Sequence, residues 1–225
     1  MKLSRLFAFV SSALFISVVS AAFVHPGLLH TAADLARVAR QVNAGVEPWL
    51  TGWNTLINST YAQSGYTPRA VQLLCRGTPA SCTQNYPNIY RDAAAAYALA
   101  VRWRVTGDAA YGTAAANVLN AWSSTLTEIS GNSDKYLASG LYGYQLANAA
   151  EILRDFEGFT AANMTALVDL LVNVFYPMNH RFLIEHNDAK VDHYWANWDL
   201  CNMWVTPTNF FVHKMLISLI ALGQP

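Results

Sequence analysis

Apolar side chains recur along this chain at the three-to-four-residue spacing of helices, and the spacing breaks only at short runs rich in Gly, Asn, Pro and Thr. Leu35, Val38 and Val42 form the first stripe. Thr31 ahead of Asp34 supplies an N-cap with an acidic first turn, and Asn43 and Gly45 end the helix. A second helix is expected from Glu47, with Pro48 in its first turn where a missing N–H breaks no bond, through Trp49, Trp53, Leu56 and Ile57. Residues 62–87 are rich in Gly, Pro, Ser and Thr and read as a long loop. Residues 88–105 then carry Ile89, Ala93, Ala96, Ala100 and Trp103 along one face. Thr106, Gly107 and Asp108 stop that helix, and Tyr111, Ala115, Val118, Trp122 and Leu126 start a partner at once. These two helices are expected to form an antiparallel hairpin whose alanines let the axes approach closely. A further helix is predicted over 137–156. Another starts at Thr160 as N-cap, with Phe159 and Met164 placed as a hydrophobic staple, and runs through Leu167, Leu171 and Phe175 to end before Pro177. No strand pattern stands out. Hairpin after hairpin predicts an all-α fold, either an open solenoid or a ring of helix pairs, and the lack of a fixed-period repeat counts against the solenoid.

The beginning of the chain has a different pattern. Lys2 and Arg5 precede an apolar run over 6–19, and the small residues Ser20, Ala21 and Ala22 follow, so residues 1–21 are expected to be a secretory signal peptide cleaved near Ala21 or Ala22. The run is shorter than the roughly 20 residues that span a bilayer, so a secreted, extracellular protein without a membrane anchor is expected. The remainder suits one domain, and a monomer is the expected state. Lys plus Arg and Asp plus Glu are equal at 14 each, so no global field favours nucleic acid, and any anionic ligand must be held by local groups.

Of the three cysteines, Cys75 and Cys82 in CRGTPASC are close enough to pair in an oxidising compartment and to staple the long loop. Cys201 is left over, as a buried thiol, an intermolecular bond or a cysteine lacking its partner. Asn58 and Asn163 stand in glycosylation sequons, which would place both at the surface.

The densest polar and aromatic cluster is HNDAKVDHYWANWDLCN, from 186 to 202. On a helix from about Asp192, His193 and Asn197 share a face, and Tyr194 neighbours Asn197. That face can offer an imidazole, a phenol and an amide to one ligand. Equally, Tyr194, Trp195 and Trp198 can be core, with Asn197 bonding a neighbouring helix. Gln145 and Asn148 lie on one face of the 137–156 helix with Leu141 and Ile152, where they can bind a sugar or bond an adjacent element. Tyr142 and Tyr144 add aromatic surface suited to sugar rings or to core packing. His186, Asp188, Asp192 and His193 crowd together, but their spacing matches no zinc signature, and no metal is expected. Arg91, Arg154, Arg181 and Lys190 can meet substrate carboxylates or remain ordinary surface charges. There is no nucleophile elbow, phosphate loop or dinucleotide motif.

The runs NIYRDAAAAYALAVRWRVTGDAAYGTAAANVLNAW, GLYGYQLANAAEILR and DHYWANWDLCNM resemble the alginate-lyase-like superfamily of secreted polysaccharide lyases, over approximately residues 25–203. The resemblance implies an incomplete α/α toroid built of antiparallel helical hairpins. It also implies β-elimination of a uronic-acid polymer of the alginate or glucuronan type, an anionic polysaccharide as partner and no cofactor. A proton α to a carboxylate is weakly acidic, so such an enzyme must neutralise the C6 carboxylate, remove the C5 proton and protonate the departing O4. By this resemblance Asn197 neutralises the carboxylate with His193 as helper, and Tyr194 is a candidate base. Gln145, Asn148, His186, Asn187, Trp195 and Trp198 are then assigned to the sugar-binding cleft. Val191 and Asp192 stand where some relatives carry an Asn-His pair. The resemblance stops near Met203, so 22–203 is expected to be the N-terminal part of the toroid domain. The tail over 204–225 is expected to be translated intron or another gene-model artefact, which transcript sequencing across the Met203 codon tests. Two other classes compete: a non-catalytic carbohydrate-binding or scaffold protein, and a glycoside hydrolase, for which Asp192 and Asp199 make a poor acid pair.

Overall fold

In the computed structural model of the chain, which describes residues 24–78, 81–188 and 196–203, helices dominate. They are α1 (Ala32–Asn43), α2 (Trp49–Asn58), α3 (Pro87–Thr106), α4 (Ala109–Thr125), α5 (Asp134–Ile152), α6 (Ala161–Leu170) and α7 (Tyr176–Glu185). A further helical stretch covers 196–203. α3 lies at the centre and packs against both α4 and α5. Its Ile89, Ala93, Ala96, Leu99 and Ala100 expose no surface, and Ala115, Val118, Leu119 and Trp122 of α4 meet them equally buried. The small side chains predicted to bring these axes together therefore do form the seam of the hairpin.

Local chemistry explains most helix ends. Thr31 and Asp34 form a full capping box at α1, and Thr160 and Asn163 form another at α6. Phe159 and Met164, placed for a staple, are both buried. α2 begins at Trp49, two residues later than expected, because Pro48 is its N-cap and Glu47 instead accepts a bond from Thr51 N–H through Oε2 at 3.1 Å. α5 ends at Ile152 rather than at Phe156, whose ring leaves the helix to meet Trp103 edge-on at 5.2 Å.

Two expectations need correction. Pro177 does not end a helix: the chain passes from α6 through a π-helical stretch, Leu171–Phe175, into α7 with the proline in its first turn. A wider turn before the proline accommodates the ring and missing N–H that an unbroken α-helix would not tolerate. The continuous run Ala161–Glu185 is by length and composition alone apolar enough to cross a membrane. Here Leu167, Val168, Leu171 and Phe175 are buried in the core.

The second correction is a pair of parallel strands, β1 (Leu73–Arg76) and β2 (Glu128–Gly131), inside segments read as loop and turn. Parallel strands need a crossover, and the α3–α4 hairpin supplies it. Leu74 and Ile129 face the core, and the register ends with Arg76 opposite Gly131. At Gly131, with φ 125°, a Cβ would lie 1.9 Å from the Arg76 carbonyl oxygen, so only glycine permits this approach. The far edge of β1 is covered by Asn85, whose Oδ1 accepts from Cys75 N–H at 2.8 Å while its Nδ2 donates to Leu73 O at 2.9 Å. Cys75 and Cys82 are joined in the expected disulfide, with Cα atoms 6.0 Å apart, which fits an oxidising compartment.

The segment before α1 is held down by α5. Asn148 Oδ1 accepts from Leu29 N–H at 3.1 Å, and Glu151 Oε2 accepts from Gly27 N–H at 3.1 Å with His25 Nδ1 at 2.9 Å. Burial pushes the Glu151 carboxyl up, but the Arg154 guanidinium, His25 and the Gly27 amide together outweigh it and hold it below the usual value of 4.5. A carboxylate with a depressed folded pKa stabilises the fold above its unfolded pKa and loses that contribution as pH falls through the folded value. Stability is therefore expected to fall on acidification below pH 4.5. Urea unfolding of Glu151→Gln should show a flatter dependence over that window; an unchanged slope would refute the assignment.

Candidate functional site

Arg76 leaves the end of β1 beside the close approach to Gly131 and turns into a ring of phenols. Its Cζ lies 4.9 Å from the ring centroid of Tyr86 and 5.9 Å from that of Tyr142, and its Nη1 donates to the Tyr142 hydroxyl at 3.1 Å. Asn85 delivers Tyr86: its backbone N–H and that of Tyr86 both bond the Cys75 carbonyl at 3.1 Å. α5 delivers Tyr142, which is 6 % exposed. Burial pushes the Tyr142 phenol up, Arg76 pulls it partly back, and Tyr86 and Tyr90 add to the rise. Tyr142 therefore remains a neutral hydroxyl that holds the guanidinium in place. Among the described residues no carboxylate lies within salt-bridge distance of Arg76, which is half-buried.

A second group of polar residues gathers where α7 ends. His186 and Asn187 take up left-handed backbone with φ 46° and 53°, a sharp reversal that asparagine tolerates better than histidine. The reversal sends Asn187 Nδ2 to Ser133 Oγ at 2.8 Å, and His186 Nε2 to 3.3 Å from Asp199 Oδ1, an ion-pair distance rather than an aligned hydrogen bond. Asp199 stands on the 196–203 helix, two residues from Cys201. Cys201 is a buried thiol, unpaired within the described residues, that bonds the Trp198 carbonyl oxygen at 3.2 Å. Burial pushes it up to about 11, with Arg76 pulling slightly down and Asp199 up. A thiol held this far from ionisation has no role as a nucleophile at neutral pH. Ser133, which takes the Asn187 bond, stands two residues after Gly131, the register partner of Arg76, so the end of the strand pair and the reversal after α7 adjoin.

The 196–203 helix can lie on α5 because Gly140 has no side chain. A Cβ there would sit 2.6 Å from Cys201 Sγ and 2.9 Å from its carbonyl carbon. Gly140→Ala is expected to destabilise the protein by about 1–3 kcal/mol, the usual range for overpacking, and to disturb the His186–Asp199 pair. Chemical denaturation checks the first, and an unperturbed unfolding midpoint would refute it.

Of the residues singled out in the sequence, Asn197 is exposed and Trp198 is half-buried with its ring centroid 5.6 Å from that of Phe182. His193, Tyr194 and Trp195 lie outside the described residues, as do Asp192 and Lys190. Gln145 donates to Leu141 O at 2.8 Å, and Asn148 donates to Tyr144 O at 2.8 Å besides holding Leu29. Asn148 thus bonds an adjacent segment, whereas the Gln145 amide bonds a carbonyl of its own helix. Arg154 and Arg181 pair with Glu151 and Glu185. Asn58 is exposed, while Asn163 is half-buried with its Oδ1 engaged by Thr160. Among the described residues no three His, Cys, Asp or Glu side chains gather as a metal site would need.

Sequence reasoning missed Arg76 and Asp92. Arg76 had a signal, since a cationic residue between a stapled cysteine and Gly77 is fixed in position. Asp92 had none beyond being an acid in an alanine-rich helix.

Fold and site together define a disulfide-stapled, mostly helical protein with an arginine set among tyrosines. Compared with protein-family models, with curated proteins and with solved structures, the chain has no match.

Proposed function

We propose that the protein is a secreted polysaccharide lyase that cleaves a uronic-acid polymer of the alginate or glucuronan type by β-elimination, on a helical framework of the incomplete α/α toroid kind. The observation that carries this reading is Arg76: a half-buried guanidinium, bonded to Tyr142 and with no carboxylate partner among the described residues. A guanidinium in that state calls for an anion, and its planar fork suits a carboxylate. Tyr86 and Tyr90 offer ring faces of the kind on which sugars stack.

In this mechanism Arg76 holds the C6 carboxylate of the sugar and stabilises the charge that spreads into it as the C5 proton leaves. Tyr142 acts as a positioning residue for the guanidinium. Asn197, exposed one helical turn before Cys201, keeps the carboxylate-neutralising role that the resemblance gives it. His186, within ion-pair distance of Asp199, is an imidazole that can serve proton transfer, beside Tyr194 as candidate base, while His193 keeps its assignment as helper of Asn197. As the C5 proton is taken up by the base, its bonding pair forms the C4–C5 double bond, and the C4–O4 bond breaks to release O4, which is protonated.

The test is to incubate the full chain with alginate, glucuronan and a neutral glucan and to follow ultraviolet absorbance of the unsaturated product. Absorbance should rise with a uronate polymer only. Binding of uronate without any product would replace the lyase by a non-catalytic carbohydrate-binding protein. Neither binding nor product would remove both readings.

A further inference from the structure

A second basic and aromatic surface lies outside the site just described. The short 3₁₀ turn Thr60–Ala62, the loop after it and the first turn of α3 enclose an open groove of about 570 Å³. Tyr61, Gln63, Tyr66, Thr67, Arg69 and Arg91 line it. Tyr61 and Tyr66 stand with ring centroids 6.3 Å apart at 58°, so the groove has two aromatic faces. Arg69 donates to the Tyr66 hydroxyl at 2.9 Å and lies 3.7 Å from buried Asp92, which offsets its charge. Arg91 is different. Among the described residues it has no carboxylate within salt-bridge distance, and the hydroxyls nearest it, of Tyr90 and Tyr61, favour its charged form. The groove therefore carries one uncompensated positive charge at its rim, between aromatic rings and beside an amide.

Tyr90 joins this groove to the Arg76 site. Its ring centroid is 5.5 Å from the Arg91 guanidinium and 6.2 Å from the ring centroid of Tyr86, over which Arg76 lies at 4.9 Å. Two guanidinia without acid partners are thus connected by a continuous wall of tyrosines. A ligand that presents one carboxylate and one ring face per unit matches that alternation. A polyphosphate strand matches it less well, because the chain carries 14 basic and 14 acidic residues and has no basic field of its own.

We infer that the Tyr61–Tyr66–Arg91 groove is a second carboxylate subsite, which takes a neighbouring sugar of the same uronate chain whose reacting unit lies at Arg76. The inference rests on the proposed function, and it adds that the protein grips an extended run of sugars rather than a single unit. Arg91 has no part in the chemistry at Arg76.

Binding measured on the full chain, by calorimetry and ligand-observed NMR with uronate di-, tetra- and hexasaccharides, tests it. Affinity should rise with length in the wild type. Arg91→Gln should lose about fivefold for the hexasaccharide, the effect of one exposed charge pair, with disaccharide affinity unchanged. Thr67→Glu, an exposed substitution that puts a carboxylate in the groove, should show the same length-selective loss. If both variants bind hexasaccharide as the wild type does while Arg76→Gln weakens every length, the groove is not a subsite and the proposed function stands. If the wild type binds uronate of no length, both are overturned. Stronger binding of an oligothymidylate of equal charge would overturn the choice of a uronate.

Discussion

Asp92→Ala is expected to lower the free energy of unfolding by about 3–5 kcal/mol, the range for breaking a buried, fully bonded charge network. Asp92 has no exposed surface, although it stands on the alanine-rich face of α3. Its Oδ2 accepts from Trp122 Nε1 at 2.8 Å and from Arg69 N–H at 2.6 Å, and its Oδ1 accepts from the Tyr66 hydroxyl at 2.7 Å. One carboxylate thus ties α3 to α4 and fastens the loop over residues 66–69 to both. Burial and the bond to Asp92 push the Tyr66 phenol well up, so it remains a donor at any ordinary pH. Alanine would leave three donors without their acceptor, the indole among them fully buried, which is why the effect exceeds that of a lost hydrogen bond. Asp92→Asn keeps the shape and one acceptor and should be milder, and Tyr66→Phe, which removes a single donor, should cost about 1 kcal/mol. Urea unfolding of the three variants gives the ranking. Near-equal stabilities would show that the network contributes little.

Arg76→Gln is expected to lower kcat/KM on a uronate polymer by about 10²–10³, the effect of removing one preorganised donor from a developing oxyanion. The fold should tolerate the change, because Arg76 bonds one phenol and no acid among the described residues. Arg76→Lys should recover only part of the activity, since an ammonium is a point charge that cannot bond a carboxylate through a planar fork. Tyr142→Phe frees the guanidinium without removing it and should reduce kcat less than Arg76→Gln does. Steady-state rates with unfolding curves alongside separate these effects from misfolding. Full activity in Arg76→Gln would remove the arginine from the mechanism.

Helices were legible because each carries its own evidence within a dozen residues. The spacing of Ile89, Ala93, Ala96 and Ala100 marks a buried face wherever the helix is placed, and the Thr31–Asp34 cap closes on itself. The strands were not legible, because four residues are too few for a period-two pattern. What makes Leu73–Arg76 a strand is a partner that the chain brings back only after a complete helical hairpin. The candidate site was half visible for a similar reason. The cluster around 186–202 declared itself by composition, whereas Arg76, from a segment read as loop, joins it only through the fold.

By itself the sequence determined the helical class, the α3–α4 hairpin, the caps and the disulfide, since each rests on neighbours in the chain or on a few residues of spacing. Tertiary structure alone decided which polar groups were left over. Asn148 and Glu151 go to the N-terminal segment, Asp92 to Trp122 and the loop, and Arg76 to a ring of phenols with no acid. Whether a charged group is satisfied depends on what packs against it from distant parts of the chain, and spacing along one helix does not contain that information.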